Sequence, residues 1–320
     1  MYDVIALGEL LIDFTCLSAD ADGYPLMGAH PGGAPANYLA ALAKFGKKTA
    51  LLGKVGNDSF GRLLLNTLER TGIGTEGLVL SDDFFTTLAF VTLDAQGDRE
   101  FSFARKPGAD TQLSFDELKT GLIDKAKVFH FGSLSLTDEP ARSATYAAVD
   151  YAKSRGKLIS FDPNLRPPLW KSLDEAKEQM LWGLSRADVV KISDEEARFL
   201  FDMEPEGAAA HIMAHFGSQL VFVTCGAAGC YYRTKALSGF EKSLEGISVT
   251  DTTGAGDIFG GSAMSALLDT GKTVDELSAG ELAYITAFAC AAAGLSTTRP
   301  GGISSVPEPA EIDTALKSAH

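Results

Sequence analysis

Several chemistries are missing from this 320-residue sequence, and each absence narrows what it can do. No G-x-x-x-x-G-K-[ST] string occurs, so a bound nucleotide would not be cradled by a P-loop. The four cysteines, Cys16, Cys225, Cys230 and Cys290, form no C-x-x-C pair, sit among apolar neighbours and read as reduced core thiols. His211 and His215 are four apart on a predicted helix, but the Glu of H-E-x-x-H is absent, so a partly solvated helix is favoured over a metal site. Positive charge is also short: 28 Lys and Arg stand against 42 Asp and Glu, a net charge of -14 with a pI near 4.8. That balance excludes nucleic acid and anionic membrane surfaces as main partners, and any nucleotide must be held by backbone N-H groups and a few placed cations. The most apolar run, Leu282 to Leu295, is interrupted by Tyr284 and Thr286 and is shorter than a bilayer requires, which predicts a buried helix. Met1-Tyr2-Asp3 is no basic n-region and Val4 to Leu7 no signal h-region, so a cytoplasmic location is expected.

What is present is a 45% hydrophobic chain, enough for a large core, in which strand and helix patterns alternate. Apolar runs at Val4 to Leu7, Thr49 to Val55, Val128 to Phe131, Leu158 to Phe161, Val189 to Ile192 and Leu220 to Thr224 predict strands, with helices between them. This predicts an α/β fold: a doubly wound, mainly parallel sheet with helices on both faces. Ligands of such sheets sit at the carboxyl ends of the strands, and Asp13, Asn164, Glu196 and Thr224 all fall at or just beyond predicted ends. One region breaks the pattern. Thr87 to Leu93 and Glu100 to Ala104 alternate like half-exposed strands around the turn residues Asp94 to Asp98, predicting a hairpin outside the main sheet. With Thr15 to Pro31 it would form a small flap.

The chain is organised around Val249 to Leu268. Small residues from Thr252 to Gly256 lead into Ile258, Phe259, Ala263, Met264, Leu267 and Leu268 at helical spacing, so a helix is expected to start near Asp257. Unpaired N-H groups and the macrodipole make a helix start a natural anion site, and flanking glycines let a ligand approach the backbone. A carboxylate beside such a site can take a proton from an attacking hydroxyl while the N-H groups stabilise a transferring phosphoryl group. By itself, Asp257 could equally be a helix cap.

The longer string D-T-T-G-A-G-D-x-F followed by G-G closely resembles the signature of the ribokinase-like carbohydrate kinases. The resemblance implies Asp257 as catalytic base, with the N-H groups of Gly254, Ala255 and Gly256 as the anion hole. It extends to G-G-A-P-A-N, most like the sugar-binding segment of fructokinases, which implies sugar contacts from Gly32, Gly33, Asn37 and Asp13. It extends also to D-P-N-L-R, where Asn164 and Arg166 would face the sugar and the transferring phosphate. Arg105 would be a sugar contact brought in by closure of a β lid made of segments 15–31 and 86–106. Thr224, Gly226 and Gly229 match a nucleotide-side segment. Glu196 matches the acidic residue associated with Mg²⁺ and phosphate, although Ser193 replaces the usual Asn and Ser-x-x-Glu is itself a good capping box. Asp251, Thr253, Pro300 and Gly302 match loops that enclose a monovalent cation, expected to be K⁺. Cys290 stands where the family often has Asn near the adenine.

Taken together, the resemblance covers essentially the whole chain and implies a single domain over 1–320 and an ATP- and Mg²⁺-dependent sugar kinase acting on the 6-hydroxyl of D-fructose, with a homodimer expected. Acceptors such as 2-keto-3-deoxygluconate, ribose or an aminoimidazole riboside remain open, Arg105 being available for a keto-acid carboxylate. In a different class stands a non-catalytic sugar sensor on a kinase fold.

Overall fold

The computed structural model describes residues 1–93 and 99–318. Strand β1 (Tyr2–Leu7) alternates between two apolar layers, Val4 and Ala6 on one side and Ile5 and Leu7 on the other. Gly8, at φ 152°, then turns the chain beneath Pro35 into β2 (Leu11–Ala19) and β3 (Pro25–Gly32), followed by helix α1 (Ala34–Lys44). Next come β4 (Thr49–Gly56), α2 (Ser59–Thr71), the short β5 (Ile73–Gly74) and β6 (Leu78–Ser81), then β7 (Leu88–Leu93) and β8 (Arg99–Ala104). A regular βα series follows: α3 (Thr120–Asp124), β9 (Ala126–Gly132), α4 (Ala141–Ser154), β10 (Leu158–Asp162), α5 (Leu173–Leu184), β11 (Val189–Ser193), α6 (Asp194–Phe201), α7 (Pro205–Phe216) and β12 (Leu220–Thr224). The chain closes with β13 (Gly229–Thr234), β14 (Ser238–Lys242), α8 (Ala255–Asp269), α9 (Ala279–Ser296) and α10 (Pro309–Ser318).

The main sheet runs β14-β13-β12-β11-β10-β9-β1-β4-β5, with β6 also paired to β4. It is parallel from β12 across to β5, while β13 and β14 add an antiparallel edge. One face is covered by α1, α8, α9 and α10 through Leu39, Ile258, Met264, Leu282, Ile285 and Ile312. The opposite face is covered by α4 to α7 through Val149, Met180, Leu184, Leu200 and Ile212. Strands sandwiched this way must be apolar on both sides, which is why they appear in the sequence as continuous runs.

Residues Thr15 to Pro31, which show no strong period, form most of β2 and β3. These strands join β7 and β8 in a separate four-stranded sheet ordered β3-β2-β7-β8. The hairpin expectation holds for its two strands; the turn Asp94 to Asp98 lies outside the described residues. Asp13 is accordingly not at the end of β1 but inside β2, on the second sheet. Helix α9, expected to be buried, packs against α8, α10 and β14, and is the one described helix long and apolar enough to cross a membrane by length and composition. Cys230 and Cys290 are core thiols as expected, but Cys225 is only half-buried and Cys16 is exposed on β2. His211 and His215 stack with ring centroids 3.9 Å apart, and no metal-holding cluster occurs among the described residues.

The contact that positions everything downstream is α1 against α8. A Cβ on Gly261 would lie 2.2 Å from the Tyr38 carbonyl oxygen and 2.9 Å from Ala41 Cβ, so the two backbones approach only because that position is glycine. Gly261→Ala is therefore expected to cost about 1–3 kcal/mol by overpacking, read as a lowered Tm in thermal denaturation. An unchanged Tm would mean that the helices can separate without loss.

Candidate active site

The carboxyl ends of β10, β11 and β12 open into a cavity of about 870 Å³, the size range of small-molecule sites. Its lining brings together Asn164, Arg166, Glu196, Thr224, Gly226, Gly229, Gly254, Ala255, Gly256 and Asp257, residues spread over more than ninety positions of sequence. Cys290 lines it as well. Ser243 to Val249, between β14 and α8, form much of the opposite wall, and no sequence pattern marks that segment.

Helix α8 begins at Ala255, two residues before the expected start, with Gly254 as N-cap in the left-handed region at φ 76°. A Cβ on Gly254 would lie 2.9 Å from Gly302 Cα and 3.1 Å from Asn37 Nδ2, so this cap is confined on two sides. The Ala255 N-H turns back to the Thr252 carbonyl at 3.3 Å, so one of the three expected anion-hole donors has an acceptor already. The helix start still presents first-turn N-H groups and its dipole to the cavity.

Asp257 sits in that first turn and is 8% exposed. Its Oδ2 accepts a hydrogen bond from Asn37 Nδ2 at 2.9 Å, so Asn37, expected as a sugar contact, also orients the carboxylate. Burial raises the Asp257 pKa, while the Asn37 bond and the charges of Lys191 and Arg166 oppose the rise. The other amide atom, Asn37 Oδ1, is buried without a hydrogen-bond partner.

Asp13, Gly32, Gly33 and Asn37 are not among the residues lining the cavity; Asp13 and Gly32 belong to the second sheet, and Gly33 and Asn37 to the start of α1. Asp13 Oδ2 lies where a Cβ of Gly32 would stand, at 2.0 Å, and a Cβ on Gly33 would meet the Glu9 carbonyl at 2.4 Å. Gly33, at φ 111° against a backbone carbonyl, is thus required by close packing, whereas at Gly32 only the tip of the Asp13 side chain stands in the way. Burial pushes Asp13 up to about 7, reinforced by the charges of Asp257 and Asp251 and opposed by that of Arg166. Glu9 accepts the Ala34 N-H at 2.8 Å at the start of α1, and burial pushes it too to about 7.

Two expected residues take different roles. Arg105 is 5% exposed and needs no lid to engage it: its guanidinium donates to Asp110 Oδ2 at 2.8 Å, Thr137 Oγ1 at 2.8 Å and the Leu134 carbonyl at 2.9 Å. That pattern ties β8 to the loops after β8 and β9. Glu196 completes a capping box with Ser193, and its two oxygens accept the N-H groups of Leu165 at 2.7 Å and Ser193 at 2.8 Å. It clamps the D-P-N-L-R loop to α6, and so holds Arg166 at the cavity wall that Glu196 also lines. In that loop Asn164 adopts a positive φ of 46°, an uncommon conformation for a residue other than glycine, supported by its N-H to Asp162 Oδ1 at 3.2 Å.

Thr224 closes β12, with Oγ1 3.4 Å from the Ile192 carbonyl. Gly226 and Gly229 follow at φ 52° and 128°, and a Cβ on Gly229 would meet the Glu241 carbonyl at 2.1 Å. The loops bearing Asp251 and Pro300 are joined as expected: Asp251 Oδ1 accepts from Thr253 N and Oγ1 at 2.9 and 2.7 Å, and Oδ2 accepts from Gly301 N at 2.9 Å. The Pro300 carbonyl accepts from Ser304 Oγ and keeps a second lone pair, whereas the Gly302 carbonyl accepts from both the N-H and the Oγ of Ser305. All-oxygen donors of this kind suit a hard cation.

One charged group in the site has no counterpart in the sequence-based expectations. Lys191, in the middle of β11, lies 3.0 Å from Asp162 Oδ2, and both side chains are nearly buried. Burial works against its charge, but Asp162, Glu196 and Asp257 outweigh burial and raise its pKa. A lysine inside the apolar run V-V-K-I was the available signal, because an isolated ammonium is too costly to bury without a partner.

The raised carboxyls carry a sign that can be tested. An unfolded Glu9 ionises near 4.5, whereas the folded one holds its proton to about 7, so its stabilising contribution is full below 4.5 and is lost as pH rises through 7. The Tm of the free protein is expected to fall between pH 5 and 8. Glu9→Gln, which keeps the acceptor for Ala34 N-H, should shrink that fall by roughly 1–3 kcal/mol. Parallel curves for the two proteins would show that Glu9 does not titrate in this window.

With that geometry in place, comparison with known proteins supplies the family. A model of the pfkB family carbohydrate kinases matches residues 1–309. Fructokinase-2 of Solanum lycopersicum is 41% identical over 320 residues, covering 98% of this chain and 96% of its own. The crystal structure of fructokinase with bound ATP from Xylella fastidiosa superposes with a TM-score of 0.91 at 29% identity, over 100% of this chain and 99% of that one. A double-mutant fructokinase of Vibrio cholerae O395, in its fructose-, ADP- and potassium-bound form, gives a TM-score of 0.87 at 30% identity over 98% of both chains. A helix start at the mouth of a nucleotide-sized cavity, with a buried carboxylate in its first turn, is the local counterpart of these matches, and the chain belongs to the pfkB family of carbohydrate kinases.

Proposed function

We propose that the chain is an ATP-dependent fructokinase that transfers the γ-phosphoryl group to the 6-hydroxyl of D-fructose. The observation that carries the reading is Asp257: a buried carboxylate, oriented by Asn37, in the first turn of a helix whose N-H groups face a cavity large enough for a nucleotide. The fructokinase relatives support the acceptor. Asp257 accepts the proton of the 6-hydroxyl as its oxygen attacks, and the first-turn N-H groups of α8 with Arg166 stabilise the charge on the phosphoryl group in transit. Asp13, Gly32, Gly33, Asn37 and Asn164 surround the sugar, and Thr224, Gly226 and Gly229 border the nucleotide.

Mg²⁺, when bound with ATP, neutralises phosphate charge. The paired loops of Asp251, Thr253, Pro300 and Gly302 offer oxygens for K⁺. The β2-β3-β7-β8 sheet, with segments 15–31 and 86–106, would act as a lid that excludes water from the phosphoryl transfer, and two such lids could pair in a homodimer. A cytoplasmic location suits such an enzyme. Arg105, buried and ion-paired with Asp110 and also bound to Thr137 and Leu134, speaks against a keto-acid acceptor, which would need that charge.

Asp257→Asn is expected to lower kcat for fructose by roughly 10²- to 10⁴-fold in an ADP-release assay with Mg-ATP and K⁺, run against ribose, 2-keto-3-deoxygluconate and aminoimidazole riboside. Fastest turnover of another acceptor would replace the substrate and keep the mechanism, whereas fructose binding with no ADP release from the wild type would make the protein a sensor. Replacing K⁺ by tetramethylammonium at equal ionic strength should lower activity, and equal rates in the two salts would remove the cation from the scheme.

A further inference from the structure

The floor of the cavity holds a cation that the scheme above leaves without a task. Within β11, Val190 and Ile192 face the layer of α4 to α7, so strand alternation sends Lys191, like Val189, toward α8. Its ammonium is pinned by Asp162 at 3.0 Å, and a Cβ on Gly256 would stand 2.9 Å from Nζ. The charge therefore lies directly behind Gly256, the second residue of α8, on the wall shared by the large cavity and a small buried one lined also by Tyr38, His130 and Ser160. Of the carboxylates around it, Asp162 is the ion-pair partner, Glu196 also accepts two backbone N-H groups, and Asp257 is the carboxylate beside the chemistry. An ammonium has three N-H donors, and a lysine kept only to neutralise Asp162 would not need to lie against the helix start.

We infer that Lys191 is a positioning residue for the phosphoryl transfer. Pinned by Asp162 behind Gly256, it is a fixed positive charge that supports both the anion-binding first turn of α8 and the Asp257 carboxylate as negative charge passes between them. A charge held rigidly in a water-poor site acts without reorganising during the reaction. The inference rests on Asp257 being the base, and it acts through Gly256 and Asp257 rather than by contact with substrate.

The test compares Lys191→Met, the double variant Lys191→Met/Asp162→Asn, and Asp257→Asn, with Mg-ATP and fructose, reading kcat, both KM values and the Tm of the free protein. Lys191→Met alone should lose Tm, because Asp162 is left buried without its counter-charge. The double variant removes both charges and should recover the Tm. Its kcat should stay at least about tenfold below wild type, with KM for fructose little changed, since one preorganised charge has been removed from the transfer step. A double variant with wild-type kcat would overturn the inference and reduce Lys191 to the ion-pair partner of Asp162. Full turnover by Asp257→Asn would instead overturn the base assignment, so the two readings fail on different variants.

Discussion

The site depends on keeping a carboxylate out of water at the positive end of a helix. Burial alone would favour the protonated acid, which cannot accept a proton from a sugar hydroxyl. Asn37 donates to Asp257, Lys191 and Arg166 bring positive charge near it, and the first turn of α8 adds its dipole. Asn37 can reach only because α1 and α8 touch at Gly261, and the helix start can face the cavity only because Gly254 turns left-handed between Gly302 and Asn37. The glycines of this region are thus packing requirements that make the electrostatics possible.

Around this centre the polar groups divide into those that face the cavity and those that hold the walls still. Glu196 looked like a nucleotide-side acid but spends both oxygens on Leu165 and Ser193, fixing the loop that carries Arg166. Arg105 looked like a mobile sugar contact but is locked to Asp110, Thr137 and Leu134. Both are buried charges paired or hydrogen-bonded within the protein, which is the condition for burying them at all. Rigid walls of this kind hold reacting groups to the narrow geometry that phosphoryl transfer requires.

The second sheet joins this centre through backbone packing. Asp13 stands against Gly32, and Glu9 reaches the N-terminus of α1, so the segment Gly32 to Asn37 is held from both sides. A movement of that sheet would be transmitted to Gly32 to Asn37 more directly than to the cavity walls built on β10, β11, β12 and α8.

The sequence by itself determined the parallel core, because strands buried on both faces must be apolar at every position, and Val4 to Leu7 or Leu220 to Thr224 can satisfy that in no half-exposed setting. It also determined that a helix starts close to Asp257, within two residues of the observed start at Ala255, since small residues followed by an apolar 3.6-residue period leave little else to form. Only the tertiary structure decided which polar residues face the cavity. That Thr15 to Pro31 join the hairpin was expected as a flap, but their strand pairing, β2 against β7, is a contact that no local period reveals. Lys191 became part of the site because strand alternation and the glycine at 256 bring an ammonium from β11 against a helix that starts more than sixty residues later. Charge pairing and close backbone approach are long-range properties, and a chain read one window at a time does not contain them.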